Sequence, residues 1–234
     1  MSDHNNESIK VWDLPVCIFH WALVLAVSGA YLSHEAGIEY FKYHLWCGYA
    51  VIILVSFRIV WGVVGTYHAR FWNFVCNPIH TLRYGVALLR NKETHYSGHN
   101  PLGAWMVIIL LIALLAQGVT GLFGNDEILN FGPLYGYVSN ELSLQLTSIH
   151  RQLFDLLVAT VAVHVLAVLF HLVIKKENLI RAMFTGRKPH SQVNSSLEIQ
   201  SSRLWLAALL LLALCAALTW LVTHAPMPEP VSFL

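Results

Sequence analysis

The sequence predicts an all-α integral membrane protein, a bundle of four transmembrane helices followed by a fifth, C-terminal one. Three observations predict it. Of 234 residues, 56% are hydrophobic and only 12% are charged, about half the charged share of an average soluble chain. The charges gather in short stretches and leave long apolar runs between them. A soluble fold of this length would have to bury nearly all of that surface in one core, whereas a bilayer serves as its solvent.

A spanning helix needs roughly 20 mostly apolar residues. Windows of that kind run over 15–33, 45–65, 101–123, 152–174 and 204–222. Pro15 can open the first. Gly65 closes the second. Asn100 and Pro101 suit the start of the third, as N-cap and first helical residue. Trp21, Trp46, Tyr49, Trp61 and Trp105 stand near window ends, where an interfacial aromatic belt is expected. The polar first ten residues lack the pattern of a cleaved signal peptide, so the first apolar run is expected to be kept as structure.

Loop charge predicts orientation. The second loop carries Arg70, Arg83, Arg90 and Lys92 against Glu93. The segment before the last span carries Lys175, Lys176, Arg181, Arg187, Lys188 and Arg203. The intervening loops carry Glu35, Glu39, Asp126, Glu127 and Glu141, with Lys42 and Arg151. Basic loops face the cytoplasm, which places the N-terminus there and the tail, 224–234, outside. The net charge of +1 argues against a nucleic-acid partner. The four cysteines, Cys17, Cys47, Cys76 and Cys215, form no C-x-x-C pair and no covalent haem motif.

The unusual residue is histidine, with 13 copies. Ionisable side chains at membrane depth are functional-site candidates. His20 lies in the first span, His44 opens the second, and His150, His164 and His171 belong to the fourth. Fourteen residues separate His150 from His164. At about 100° and 1.5 Å per residue they share one helix face, roughly 21 Å apart. By depth, His44 pairs with His150 toward the outer side, and His20 with His164 toward the inner side. Paired imidazoles from facing helices suit the two axial positions of a haem b. With both positions filled the chemistry is electron transfer. Each ligand needs a partner for its other ring nitrogen, and Ser28 and Thr160 are of the right type. His171, one heptad past His164, is the alternative inner ligand, or a propionate or interfacial residue.

Arg58 lies fourteen residues past His44, on the same face. A buried arginine needs an anion, such as a haem propionate or a quinone-site group; otherwise it snorkels to the interface. His34, His68, His80, His95, His99 and His190 fall in loops and read as solvated or interfacial. A histidine-based metal transporter is the rival class. It would add carboxylates along a path, and only Asp155 lies inside a span. A purely structural anchor for an enzyme complex is a third reading.

Several segments carry a resemblance. They are VWDLPVCIFHW (11–21), FRIVWGVVGTYHARF (57–71), YSGHNPLGAWM (96–106), QGVTGLF (117–123), and IHRQL, HVLAVLFH and ENLIRAMFTGRK within 149–188. Together they make the chain similar to the bacterial cytochrome b-561 and nickel-hydrogenase b-type cytochrome family. The resemblance implies a bundle over 1–188 that holds two haems b, with His20, His44, His150 and His164 as axial ligands. It implies a respiratory electron-transfer subunit in the bacterial inner membrane, reducing quinone or oxidising quinol. The subtype resembles cytochromes that serve a periplasmic c-type cytochrome, with the nickel-iron hydrogenase anchor as alternative. Cys17 stands where the family usually has arginine, which removes an expected cationic contact there. Residues 189–203 read as a cytoplasmic linker, and 204–234 as an added span and tail outside the family core.

Overall fold

The computed structural model describes residues 8–90, 96–128, 130–190 and 198–226. Among the described residues the chain is all-α apart from one short strand pair and an isolated bridge between Asn125 and Phe131. Its elements are β1 (Ser8–Lys10), α1 (Leu14–Glu35), α2 (Phe41–Val64), α3 (Pro78–Leu89), α4 (Pro101–Leu122), α5 (Asn140–Val173), α6 (Leu179–Thr185), β2 (Arg187–Pro189) and α7 (Leu204–Thr223). Among the described residues five helices, α1, α2, α4, α5 and α7, are long and apolar enough to cross a membrane. All five expected spans are therefore present. The differences lie at their ends. α5 starts at Asn140, twelve residues before its apolar window, because the Ser139 hydroxyl accepts from Leu142 N and begins the helix in polar sequence. Hydropathy sees only the apolar part of a helix. α3, in the second loop, was not expected.

The helices divide between two compact units. The first comprises 1–21, 58–110 and 161–208; the second comprises 22–57, 111–160 and 209–234.

In the first unit, β1 pairs antiparallel with β2, Ile9 opposite Lys188. Val11 N and Trp12 N both donate to Gly186 O. Gly186 ends α6 at φ 71°, and a Cβ there would collide with Trp12 O, so this turn requires glycine. Asp13 then caps α1 through Val16 N at 2.8 Å. Its second carboxylate oxygen accepts from Trp61 Nε1 at 3.0 Å and from the Thr66 hydroxyl. Trp61 is therefore not a belt residue: it is fully buried, its indole held by Asp13. Asn100 caps α4 through Gly103 N, with Pro101 at the first position, as the sequence predicts. The linker region is partly docked. Ile199 N donates to Lys10 O, and Lys10 Nζ donates to the Ser202 hydroxyl. Residues 191–197 of the linker, His95, Lys92, Glu93 and the tail from 227 lie outside the described residues.

In the second unit, the loop between α4 and α5 folds back on α4, with Leu134 N donating to Leu122 O and Gly132 N to Gly124 O. The Ser143 hydroxyl, fully buried, donates to Phe123 O and joins α5 to that loop.

Candidate haem sites

In the second unit His44 and His150 face each other across a cavity of about 480 Å³. Their ring centroids lie 6.3 Å apart with planes at 79°. His44 Nδ1 is held at 2.9 Å by the main-chain oxygen of Ala30, and His150 Nδ1 at 2.9 Å by that of Gln117. A carbonyl only accepts, so each Nδ1 carries the proton and each Nε2 keeps its lone pair. The Gln117 side-chain nitrogen lies 3.2 Å from His150 Nε2, consistent with that tautomer. Main-chain carbonyls therefore fill the supporting role expected of Ser28 and Thr160; the Thr160 hydroxyl instead donates to Leu156 O within its own helix.

Two imidazoles that share one metal at about 2 Å each stand with centroids roughly 6 Å apart. The observed separation fits that arrangement. The walls are mostly apolar, with Val27, Leu45, Ile52, Leu114 and Leu157 among them, and His34 at 5.9 Å from His44. Glycine opens the cavity. A Cβ at Gly121 would lie 2.9 Å from His150 Cε1, and one at Gly118 would lie 2.7 Å from Ile52.

In the first unit His20 packs edge-on against Trp21, centroids 4.9 Å apart, and its buried Nδ1 has no hydrogen-bond partner among the described residues. His164 of α5 lies within electrostatic reach of it. A buried imidazole nitrogen without a partner is costly, and a bound metal would satisfy it. His171 is different: Glu177 holds its Nδ1 at 2.9 Å, and Asn100 Nδ2 lies 3.4 Å from its Nε2. Arg58 is 2% exposed. It does not snorkel. One of its terminal nitrogens donates to Ala69 O, the other is buried without a hydrogen-bond partner among the described residues, and its guanidinium lies 5.0 Å over the Phe71 ring.

Two loop histidines depart from the solvated reading. His68 is buried. His99 is held between Trp12, at 4.5 Å, and Phe74, at 4.7 Å, with its Nδ1 buried and unpartnered among the described residues. Burial pushes its pKa from 6.5 down to about 3, with Arg58, Lys188, His68 and His164 adding to the shift. Lys188 donates to Tyr96 O and Gly98 O. Burial lowers its pKa too, opposed by the nearby Glu177. The sequence places His99 beside the first residue of a span, but no periodicity shows that an aromatic pair closes over it. His80 and His190 are exposed, as expected.

The chain matches the family model described as prokaryotic cytochrome b561 over residues 11–186. The chain belongs to that family. It is thus a multi-pass membrane b-type cytochrome with an electron-transfer role, and the family implies haem b. Curated relatives carry the name probable Ni/Fe-hydrogenase B-type cytochrome subunit. That of Rhizobium leguminosarum bv. viciae is 26% identical over 216 residues, 78% of this chain and 89% of the relative. That of Rhodobacter capsulatus is 26% identical over 225 residues, 80% and 84%. That of Azotobacter vinelandii is 25% identical over 217 residues, 76% and 88%. No solved structure matches the chain. The family match ends before α7, which stands outside the shared core.

Proposed function

We propose that this cytochrome holds two haems b and passes electrons between the membrane quinone pool and a redox partner protein outside the cytoplasm. His44 and His150 would hold the iron of one haem, and His20 and His164 that of the other. The observation that carries the reading is the facing pair in the second unit, with both Nδ1 atoms tied to main-chain carbonyls and the lone pair on each Nε2, that of His150 accepting from the Gln117 amide, kept for a ligand bond. Bound haem b supplies a one-electron couple. The chain's own residues do the rest. The carbonyls of Ala30 and Gln117 fix the tautomer and ring orientation. The apolar walls exclude water. Arg58, buried with one nitrogen that no described residue accepts from, would answer a propionate carboxylate or a quinone oxygen.

His164 is taken as the inner ligand, with His171 bridging Glu177 and Asn100. The basic loops support a cytoplasmic N-terminus in the bacterial inner membrane. On the partner, the names of the relatives favour hydrogenase subunits over a periplasmic c-type cytochrome. The metal-transporter reading gains no support: among the described residues no three His, Cys, Asp or Glu side chains converge to hold a metal ion.

Purified membranes test the proposal. A reduced-minus-oxidised b-type spectrum with about two haems per chain is expected, and reduction by a quinol analogue should follow. A single haem per chain sinks the dihaem reading. Co-purification with a hydrogenase large subunit, or with a small c-type cytochrome, decides the partner.

A further inference from the structure

The proposed electron path makes no use of α3. Its 12 residues extend about 18 Å, too short to cross a bilayer. Asn77 caps it through Ile79 N, with Pro78 in its first turn. One side is buried, through Thr81 and Tyr84, and Tyr84 meets Tyr96 edge-on at 5.5 Å. The other side carries Ile79, Leu82, Val86 and Leu89, exposed by 60%, 71%, 50% and 82%. These positions follow the helical repeat and form one apolar stripe. Arg83 and Arg90 project about 60–80° round the helix from that stripe, and the helix carries no acidic residue.

Two bonds fix its level in the first unit. Trp105 Nε1, from the second turn of α4, donates to Cys76 O just before α3. Lys175 Nζ, two residues past the end of α5, donates to Leu88 O in its last turn. α3 is therefore tied at one end to the start of one span and at the other to the end of another. Spans start and end at the membrane–water boundary, so its apolar stripe stands at that boundary.

We propose that α3 is a membrane-surface helix, with Ile79, Leu82, Val86 and Leu89 among the acyl chains and Arg83 and Arg90 on the phosphates of anionic lipid. An apolar face edged by cations, with no acid between them, is the pattern that binds an anionic interface. Long arginine stems let the charge reach the headgroups while the stem stays in apolar surroundings.

The full chain in nanodiscs provides the test. Nitroxide labels are placed one at a time at Leu82→Cys and Val86→Cys after replacement of Cys17, Cys47, Cys76 and Cys215 by alanine. Both labels should relax faster with oxygen than with a water-soluble nickel chelate. Stronger relaxation by the chelate overturns the proposal, as does dipolar broadening at full labelling, which would mean a second copy on this face. If the alanine background loses its haem spectrum, a photoreactive phenylalanine at Leu82 of the native chain is used instead. A lipid adduct supports the proposal, and a chain dimer or no adduct overturns it. Arg83→Gln with Arg90→Gln should reduce the preference for phosphatidylglycerol over phosphatidylcholine by about fivefold per arginine. An unchanged preference overturns the anionic-lipid assignment.

Discussion

Glu177 holds Nδ1 of His171 at 2.9 Å, and with Asn100 at the opposite nitrogen the ring is used as a strut between the end of α5 and the start of α4. A strut can be replaced by another hydrogen-bonding side chain. His171→Gln should keep both haems and lose about 1 kcal/mol of stability. His164→Gln should lose one haem. Haem counts and spectra of the two variants separate the roles, and loss of haem from the His171 variant with retention in the other would reverse the assignment.

Gly121 gives a second prediction. Its missing Cβ leaves the space that the His150 ring occupies, with a closest approach of 2.9 Å. Gly121→Ala would push the ring away from its bond to Gln117 O. The haem held by His44 and His150 should be lost or changed in spectrum, while the other keeps its absorbance. His44→Ala should give the same selective loss. Equal loss of both haems from either variant would speak against the pairing.

The spans were legible because a bilayer selects for length and apolarity, which composition reveals directly. That His44 comes to face His150 was legible for a similar reason: the depth of a residue along a span can be counted. What escaped was everything carried by tertiary closure. The supports of His44 and His150 are main-chain carbonyls, which have no sequence signature, so side chains such as Ser28 and Thr160 looked like better candidates. Trp61 looked interfacial by position, but Asp13, from an element far away in sequence, holds its indole inside. His99 looked solvated because the Trp12 and Phe74 rings that cover it come from two distant segments. α3 escaped because it is too short for a span window.

His99 makes stability depend on pH. Its folded pKa, about 3, lies below the ordinary 6.5. Between those values the unfolded chain binds the proton and the folded chain does not. Stability therefore falls as pH drops through 6.5 and goes on falling until about 3. His99→Asn removes this proton-linked loss. Thermal unfolding at pH 7 and pH 4.5 should show a smaller drop in Tm for the variant than for the wild type. An equal drop would mean that His99 takes up its proton without leaving its aromatic pair.

Asp13 ties the start of α1 to the end of α2 in the first unit. It is 1% exposed, and three donors converge on it: Val16 N from the helix it caps, and Trp61 Nε1 and the Thr66 hydroxyl from around the end of α2. Asp13→Ala removes the carboxylate that accepts from the buried indole and hydroxyl and removes the cap of α1. Each unsatisfied buried group costs about 1–3 kcal/mol, and the cap about 1 kcal/mol. The variant should show a large fall in Tm and reduced yield. Asp13→Asn keeps one acceptor oxygen, so it should fall between wild type and Asp13→Ala. Because Asp13 lies in the first unit, haem held by His20 and His164 should be lost at lower temperature than haem held by His44 and His150. Thermal scans followed at the haem absorbance would resolve the two steps, and a single shared step in Asp13→Ala would show that the network supports both sites equally.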